Sequence, residues 1–378
     1  KERWPINKWQ SLYLIATVLT EDQKTEIHKK YIPDGSYEIT INEKACAESC
    51  TVMVTDNSPD GHIIESIEWK EKWDAFVDES NNGTLFHLQK FFDYHVPGKF
   101  NFNHLIFLEK GEIVAVLPGS IRGTKFESPI GASYGSIVTK DIKFERALEI
   151  VSTLKDYAKE NGITEFELTA APVVYEDKPN QNLDFAMLWL GFNYSLHYIS
   201  SAIKLDKEQD ILSRFQPTVR RNIRKSFRNS DIRVEINERY DEFYPILLDN
   251  KARHDVKPTH TLDDLLKLKE LLPNHLKLFM VYYKDKPIAG SSMFFVNKTC
   301  ALCFYNMLDY EYEHLKPIHR IMYEVVKYST DNGYSYVDIG VSQDTKAENP
   351  MTPSMGLIDF KEKFDAKTVM RNTLSIKL

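Results

Sequence analysis

This chain of 378 residues lacks long apolar runs, has few cysteines and carries no excess of positive charge. No stretch approaches the about 20 apolar residues that a membrane-spanning helix needs. The nearest candidate, residues 12–19, is too short and lacks the small-residue cleavage pattern of a secretory signal. The net charge of −7 disfavours broad binding to nucleic acid or to an anionic membrane, so a basic patch has to be local to matter. We therefore expect a cytoplasmic protein without a membrane span.

The four cysteines do not form a convincing metal motif. They fall into two pairs, Cys46 with Cys50 and Cys300 with Cys303. The second pair lies in an apolar, strand-like run, in which residues three apart point to opposite faces and no glycine provides a turn. We expect these thiols to pack in a core, with a metal or a disulfide as the alternative, and we predict neither a metal site nor a tightly bound cofactor.

The last two thirds of the chain contain the same pattern twice. The first copy closes on Ile203-Lys204-Leu205, and the second closes on Ile376-Lys377-Leu378. Each copy also carries Asn-Gly between a helical stretch and the next strand, at residues 161–162 and 332–333, where a left-handed residue would end a helix. An offset of about 172 residues in a fixed order indicates an internal duplication.

Both copies predict one order of elements, which is a hairpin, a helix, a strand, a short helix and a closing strand. The helices are expected at residues 145–160, with apolar residues on one face, and at 317–330, with proline at its start. This order is typical of an α/β (α+β) fold with a mixed sheet and helices on its faces. We expect an N-terminal extension over residues 1–61, for which we predict no role, a first lobe over 62–205 and a second lobe over 206–378.

Several segments follow one another in an order that is similar to that of a known family. They are residues 73–86, residues 217–225, Asp338-Ile339-Gly340 and residues 359–364. Over about residues 65–378, the chain resembles two GNAT-like lobes in tandem, as in the FemAB-like aminoacyl and peptidyl transferases and related acetyltransferase-like proteins. The resemblance implies an enzyme that transfers an acyl or aminoacyl group from an activated ester or thioester to an amine. It also implies that the second lobe is the catalytic, donor side and the first lobe the acceptor side.

Glycine is missing where acetyl-CoA-using members of that superfamily carry a phosphate-binding loop. The corresponding segments, residues 138–144 and 313–319, contain none, although such loops use backbone N–H groups at a helix N-terminus to bind a pyrophosphate. We therefore rank a larger donor first, either aminoacyl-tRNA or an acyl group on a carrier protein, with tRNA or that carrier as partner. Two alternatives stay open: a small-molecule N-acetyltransferase that uses acetyl-CoA or another acyl-CoA, and a catalytically inactive GNAT-fold binding module.

The segment 216–229 is strongly basic for an acidic protein. Its five central cations are Arg220, Arg221, Arg224, Lys225 and Arg228. Like charges four residues apart destabilise a helix, which favours a bound phosphate over a merely solvated face, although that second interpretation stays open. We predict that Arg220, Arg221, Arg224 and Lys225, together with Phe360, bind substrate.

Lys361 is the first candidate for catalysis. In the FemAB-like transferases that the chain resembles, a Phe-Lys pair in the last helix places a cation against the reacting centre, and Phe360-Lys361 stands at the matching place. The alternative is a surface lysine in a charged run. The repeat offset places Met187-Leu188 opposite this pair, so we expect one active centre, in which Lys361 stabilises an oxyanion.

Candidates for proton transfer are Tyr305 and Asp338, which follow successive apolar strands. Each also has a structural explanation, since a buried tyrosine needs a hydrogen-bond partner and Asp338 can cap the turn into Gly340. Two loop histidines, His254 and His260, are weaker candidates. Two long loops, at residues 170–184 and 340–356, are expected to cover the acceptor and donor sides.

Overall fold

The computed structural model describes residues 28–31, 37–40, 51–56, 67–253 and 255–378. These residues form two compact units. The first unit contains the described residues up to Ala171, Lys178–Ser195 and Asn372–Leu378, and the second contains Pro172–Asp177 and Leu196–Arg371. Over the described ranges, no helix is long and apolar enough to cross a membrane. The repeat boundaries at residues 61 and 205 stay a prediction.

The elements are numbered in chain order. The strands are β1 His28–Tyr31, β2 Tyr37–Thr40, β3 Thr51–Asp56, β4 Asn103–Glu109, β5 Glu112–Leu117, β6 Ser120–Arg122, β7 Lys125–Ser128, β8 Val138–Thr139, β9 Glu165–Thr169, β10 Asn193–Lys204, β11 Ile232–Asn237, β12 Leu276–Tyr283, β13 Lys286–Phe295, β14 Cys300–Leu308, β15 Tyr336–Val341 and β16 Lys367–Lys377. The helices are α1 Ile67–Glu79, α2 Gln89–Phe92, α3 Phe144–Glu160, α4 Asn182–Trp189, α5 Ile211–Arg214, α6 Pro217–Arg228, α7 Tyr240–Ala252, α8 Leu262–Leu271, α9 Pro317–Asp331 and α10 Met355–Glu362. Short 3-10 helices cover Leu85–His87, Val173–Tyr175 and Tyr310–Leu315.

The core of the first unit forms around helix α3. This helix buries apolar residues at a spacing of three and four, including Ala147, Ile150 and Leu154, against the strands β4, β5 and β9. It ends where Gly162 adopts a φ of 67°, the left-handed conformation that stops a helix. Strands β3, β4, β5 and β8 pair in that order, and β9 pairs in parallel with β7.

The second unit contains a mixed sheet in the order β11-β12-β13-β14-β15-β10, antiparallel except for the parallel pair β14 and β15. Helix α9 packs Ile321, Met322 and Val325 on one face of this sheet. Helices α7 and α8 contribute Phe243, Leu265 and their neighbours to a separate core cluster. The predicted mixed α/β fold is confirmed, and the predicted helix at 317–330 is observed at Pro317–Asp331.

Strands β14 and β15 separate soon after they meet. They pair only from Cys300 to Leu302 on one strand and from Tyr336 to Asp338 on the other, although β14 continues to Leu308. Asp338 therefore lies at the point where the two strands diverge.

The closing strand of each repeat takes part in the opposite unit. Residues Ser200–Lys204 of β10, which end the first repeat, pair with β15 in the second unit. Residues Thr373–Lys377 of β16, which end the second repeat, pair with β9 in the first unit. Leu374 and Ile376 accordingly lie in the core of the first unit.

Leu374→Ala should destabilise the first unit, although Leu374 lies near the end of the second repeat. Loss of a buried leucine side chain typically lowers the free energy of unfolding by about 2–5 kcal/mol. Hydrogen exchange followed by mass spectrometry should show faster exchange in peptides from α3 and β9. Met370→Ala is the matched control, because Met370 lies in the same strand with its side chain 60% exposed. Faster exchange confined to peptides of the second unit would contradict the placement of Leu374 in the core of the first unit.

Candidate active site

Lys361 is the one residue of helix α10 that is buried, with 5% of its surface exposed. Its ammonium Nζ donates hydrogen bonds to the backbone carbonyl oxygens of Gly340, at 2.6 Å, and of Val341, at 2.9 Å. Both carbonyls lie just beyond the point at which β15 separates from β14. Leu188, which the repeat offset places opposite Lys361, packs instead against the core of the first unit.

Burial lowers the pKa of Lys361 to about 8, while Asp338 and Cys303 act in the opposite direction. The group is therefore still largely protonated at neutral pH. An ammonium has three N–H donors, and the two carbonyls occupy two of them. The third N–H has no partner among the residues that the structure describes. A fixed ammonium with one unused donor can bind a developing negative charge.

Asp338 is fully buried and lies in a hydrogen-bond network beside this lysine. One carboxylate oxygen accepts from Ser200 Oγ at 2.7 Å and from the backbone N–H of Gly340 at 2.7 Å. The other accepts from the hydroxyl of Tyr175 at 2.8 Å. Gly340 thus connects the two predicted residues, because its N–H binds Asp338 while its carbonyl binds Lys361.

Tyr305 lies in a different cluster of the second unit. Its hydroxyl is 3.0 Å from Nδ1 of His260, and both residues are buried. It packs near Phe243 of α7, and burial raises the pKa of Tyr305. His254 falls outside the described residues. The structure therefore brings Lys361 and Asp338 together and places Tyr305 in the separate cluster formed with α7 and α8.

A β-bulge explains this separation. The pairing between β13 and β14 shifts register at Phe304, because Met293 faces Cys303 and Ser292 faces Tyr305. Cys303 and Tyr305 are two residues apart and would share a face of a regular strand. The extra residue turns Tyr305 to the core formed with α7, while Cys303 stays in the core formed with α9.

The basic segment forms helix α6, which buries Val219, Ile223 and Ser226 and leaves its cations towards solvent. Within the described part of the chain, none of the five cations at positions 220, 221, 224, 225 and 228 forms an ion pair with a carboxylate. The flanking arginines differ, since Arg214 binds Asp365 at 2.8 Å and Arg233 binds Glu235 at 2.9 Å. Among the described cations of this basic segment, from Arg214 to Arg233, those without a carboxylate partner thus all lie on α6.

Phe360 connects this helix with the lysine site. It is half-buried, and its ring centroid lies 6.3 Å from that of His319. Nδ1 of His319 lies 3.2 Å from the side-chain amide nitrogen of Asn222 in α6, and burial lowers the pKa of His319 to about 4. His319 is therefore neutral at physiological pH. Sequence reasoning missed this residue, and also Tyr175 and Ser200, whose contacts depend on the folded chain.

The thiols of Cys300 and Cys303 are free and buried. Cys303 lies 3.2 Å from the hydroxyl of Ser291, and burial raises the pKa of the Cys303 thiol to about 11. No group of three or more potential metal ligands occurs in the described ranges. Cys46 and Cys50 lie outside those ranges.

The sequence of the second unit matches a known family. Residues 213–349 match the family model described as an acetyltransferase (GNAT) domain. A search of the curated proteins finds no match. Over residues 213–349, the match confirms the predicted GNAT acyltransferase domain.

Solved structures resemble the fold over most of its length. FemX has a TM-score of 0.62 at 13% identity, over 84% of this chain and 97% of FemX. The C-terminal domain of a putative lysylphosphatidylglycerol synthetase from Agrobacterium fabrum has a TM-score of 0.53 at 13% identity, over 82% of this chain and 91% of that domain. L-PGS from Bacillus licheniformis has a TM-score of 0.53 at 11% identity, over 80% of this chain and 90% of that protein. At these identities, the likeness shows the fold.

Lys361→Met should change how stability depends on pH. Burial lowers the pKa of Lys361 from 10.5 to about 8, so between these values the unfolded chain keeps a proton that the folded chain has released. As the pH increases across this interval, the free energy of unfolding of the wild type should therefore rise relative to that of the variant, by at most about 1.4 kcal/mol per pH unit. Urea unfolding of both proteins at neutral pH and near pH 9.5 measures the difference. Parallel pH profiles would show that Lys361 is not a buried, titrating ammonium.

Proposed function

We propose that this protein transfers an acyl or aminoacyl group from an activated ester or thioester to an amine, and that Lys361 stabilises the oxyanion. The observation that supports this most directly is the buried ammonium whose third N–H has no partner in the described part of the chain. Two carbonyls fix the ammonium before substrate binds, so little reorganisation is needed when negative charge develops.

In this reaction, the amine nitrogen attacks the carbonyl carbon of the donor and a nitrogen–carbon bond forms. The carbonyl oxygen becomes an oxyanion, to which Lys361 Nζ donates. The bond from carbon to the oxygen or sulfur of the donor then breaks, and the leaving hydroxyl or thiol gains a proton while the amine loses one. Tyr305 and Asp338 stay predictions as groups that handle this proton.

The start of helix α9 supports a donor other than acetyl-CoA. Pro317 occupies the first position of this helix and has no N–H to offer a phosphate. The N–H of His319 is already bound to the carbonyl of Lys316. A helix N-terminus with so few available N–H groups makes a poor pyrophosphate site. We therefore propose aminoacyl-tRNA or a carrier-linked acyl group as the donor.

Helix α6 is the proposed binding site for the phosphates of that donor or of a nucleotide-linked acceptor. Five cations that have no carboxylate partner among the described residues crowd one helix in a protein of net charge −7. Phosphate oxygens match the donor geometry of arginine and would offset the repulsion among these cations. We propose that Arg220, Arg221, Arg224 and Lys225 make these contacts and that Phe360 also binds substrate.

Thermal-shift measurements with aminoacyl-tRNA, an acylated carrier protein and acyl-CoA should distinguish the donors. A ligand present at 100 times its dissociation constant stabilises a protein by about 2.7 kcal/mol. We expect stabilisation by the first or second donor. Stabilisation by acyl-CoA alone would favour a small-molecule acetyltransferase.

Lys361→Ala should lower kcat by about 100-fold or more with little change in KM, because the lost interaction acts chiefly in the transition state. Steady-state kinetics with the donor that binds provide the measurement. Lys363→Ala is the matched control: Lys363 lies two residues away, and its exposed ammonium pairs with Asp359. Wild-type turnover in the Lys361 variant would rule out the proposed role.

Replacing Arg220 and Arg224 together by alanine should raise KM for the phosphate-bearing substrate and weaken the dependence of KM on salt. The control is the double replacement of Arg239 and Arg253 by alanine, which removes two charges that are already paired with carboxylates. If both double variants have the same KM and the same salt dependence as the wild type, α6 is a solvated helix face.

A further inference from the structure

We propose that Asp338 and Tyr175 are positioning residues that hold the carbonyl oxygens of Gly340 and Val341 against the ammonium of Lys361. This inference rests on the proposed role of Lys361 and extends it to residues that do not touch the reacting atoms. It gives a function to a buried carboxylate and assigns a residue of the first repeat to the site.

The backbone at Gly340 is the centre of this arrangement. Gly340 has a φ of 78°, in the left-handed region that residues with a Cβ rarely adopt. Its N–H donates to Asp338 at 2.7 Å, and its carbonyl accepts from Lys361 at 2.6 Å. The Asp338 carboxylate therefore fixes the peptide turn that directs the Gly340 and Val341 carbonyls towards the ammonium.

Asp338 is itself held by two hydroxyls. Tyr175 donates to one carboxylate oxygen, and Ser200 donates to the other, which also accepts from Gly340. Both oxygens are thus occupied, and the residue is fully buried. A carboxylate in this state is suited to holding a turn, and for Asp338 we propose this role in place of the predicted transfer of a proton.

Tyr175 comes from a segment that the chain inserts into the second unit. It ends the 3-10 helix Val173–Tyr175, which lies in sequence between β9 and α4 of the first repeat. Its own carbonyl accepts from the side-chain amide of Asn297 at 2.7 Å. Lys298 pairs with Asp177 at 3.1 Å, so the segment is anchored at Tyr175 and again two residues further along the chain.

The test measures the ionisation of Lys361 in the full chain, without substrate. The protein is labelled with ¹³C at the ε-carbon of lysine, and the Lys361 signal is assigned by its absence from Lys361→Met. Asp338→Asn removes a nearby negative charge that favours the protonated lysine, so the titration midpoint of Lys361 should fall by about one pH unit. Tyr175→Phe leaves the charge of Asp338 in place and removes one of the two hydroxyls that hold its carboxylate. If that hydroxyl keeps the two carbonyls against the ammonium, its loss should lower the midpoint by a smaller amount, whereas loss of a donor to the carboxylate alone would not lower it.

Tyr240→Phe is the matched control. Tyr240 is equally buried in the second unit but belongs to the cluster of α7 and α8, and its replacement should leave the midpoint unchanged. If Asp338→Asn does not fold, Tyr175→Phe still tests the proposal. Midpoints equal to that of the wild type in the folded variants, or an equal shift in Tyr240→Phe, would overturn it.

Kinetics provide the second readout. In Asp338→Asn and Tyr175→Phe, kcat should fall about tenfold with KM nearly unchanged, and the loss of activity at alkaline pH should begin at a lower pH. A purely structural role would not change the pH at which activity is lost on the alkaline side of the profile. If the Lys361 midpoint shifts in the variants but the protein uses no acyl donor, the proposed transferase activity is refuted and the positioning role of Asp338 and Tyr175 stands. If the protein transfers an acyl group but the midpoint does not shift, only the positioning role is refuted.

Discussion

The pair of hydrogen bonds from Lys361 to the carbonyls of Gly340 and Val341 is the interaction on which the candidate site depends. A buried ammonium loses its hydration, and without these two acceptors the neutral amine would be strongly favoured. The carbonyls are available because β15 turns away from β14 after Asp338 and then bends at Gly340. The separation of two strands, a left-handed glycine and a cation are therefore parts of one arrangement.

Much of the fold could be predicted from the sequence, because the signals are local. The apolar spacing of α3 and the glycine that ends it each act over a few residues. Lys361 could be found because it lies beside Phe360 near the end of the second repeat. Its burial could not be predicted from the charged run around it.

The rest of the site depends on contacts that no local pattern shows. Tyr175 and Ser200 are 163 and 138 residues from Asp338 along the chain. The bulge at Phe304, which moves Tyr305 away from Cys303, needs only one extra residue and leaves the strand pattern unchanged. Tyrosine, serine and aspartate are also common in turns and strand ends, so their types alone did not indicate a network.

The exchange of closing strands makes the two halves of the chain mutually dependent. A cut at the end of the first repeat would leave each fragment with a strand that belongs to the other unit and without one that its own sheet requires. Each fragment would then expose an unpaired edge and part of an apolar core, as a domain-swapped protein does when its partner is missing. Each repeat therefore depends on the other for a complete sheet, although the sequence reads as two separable copies.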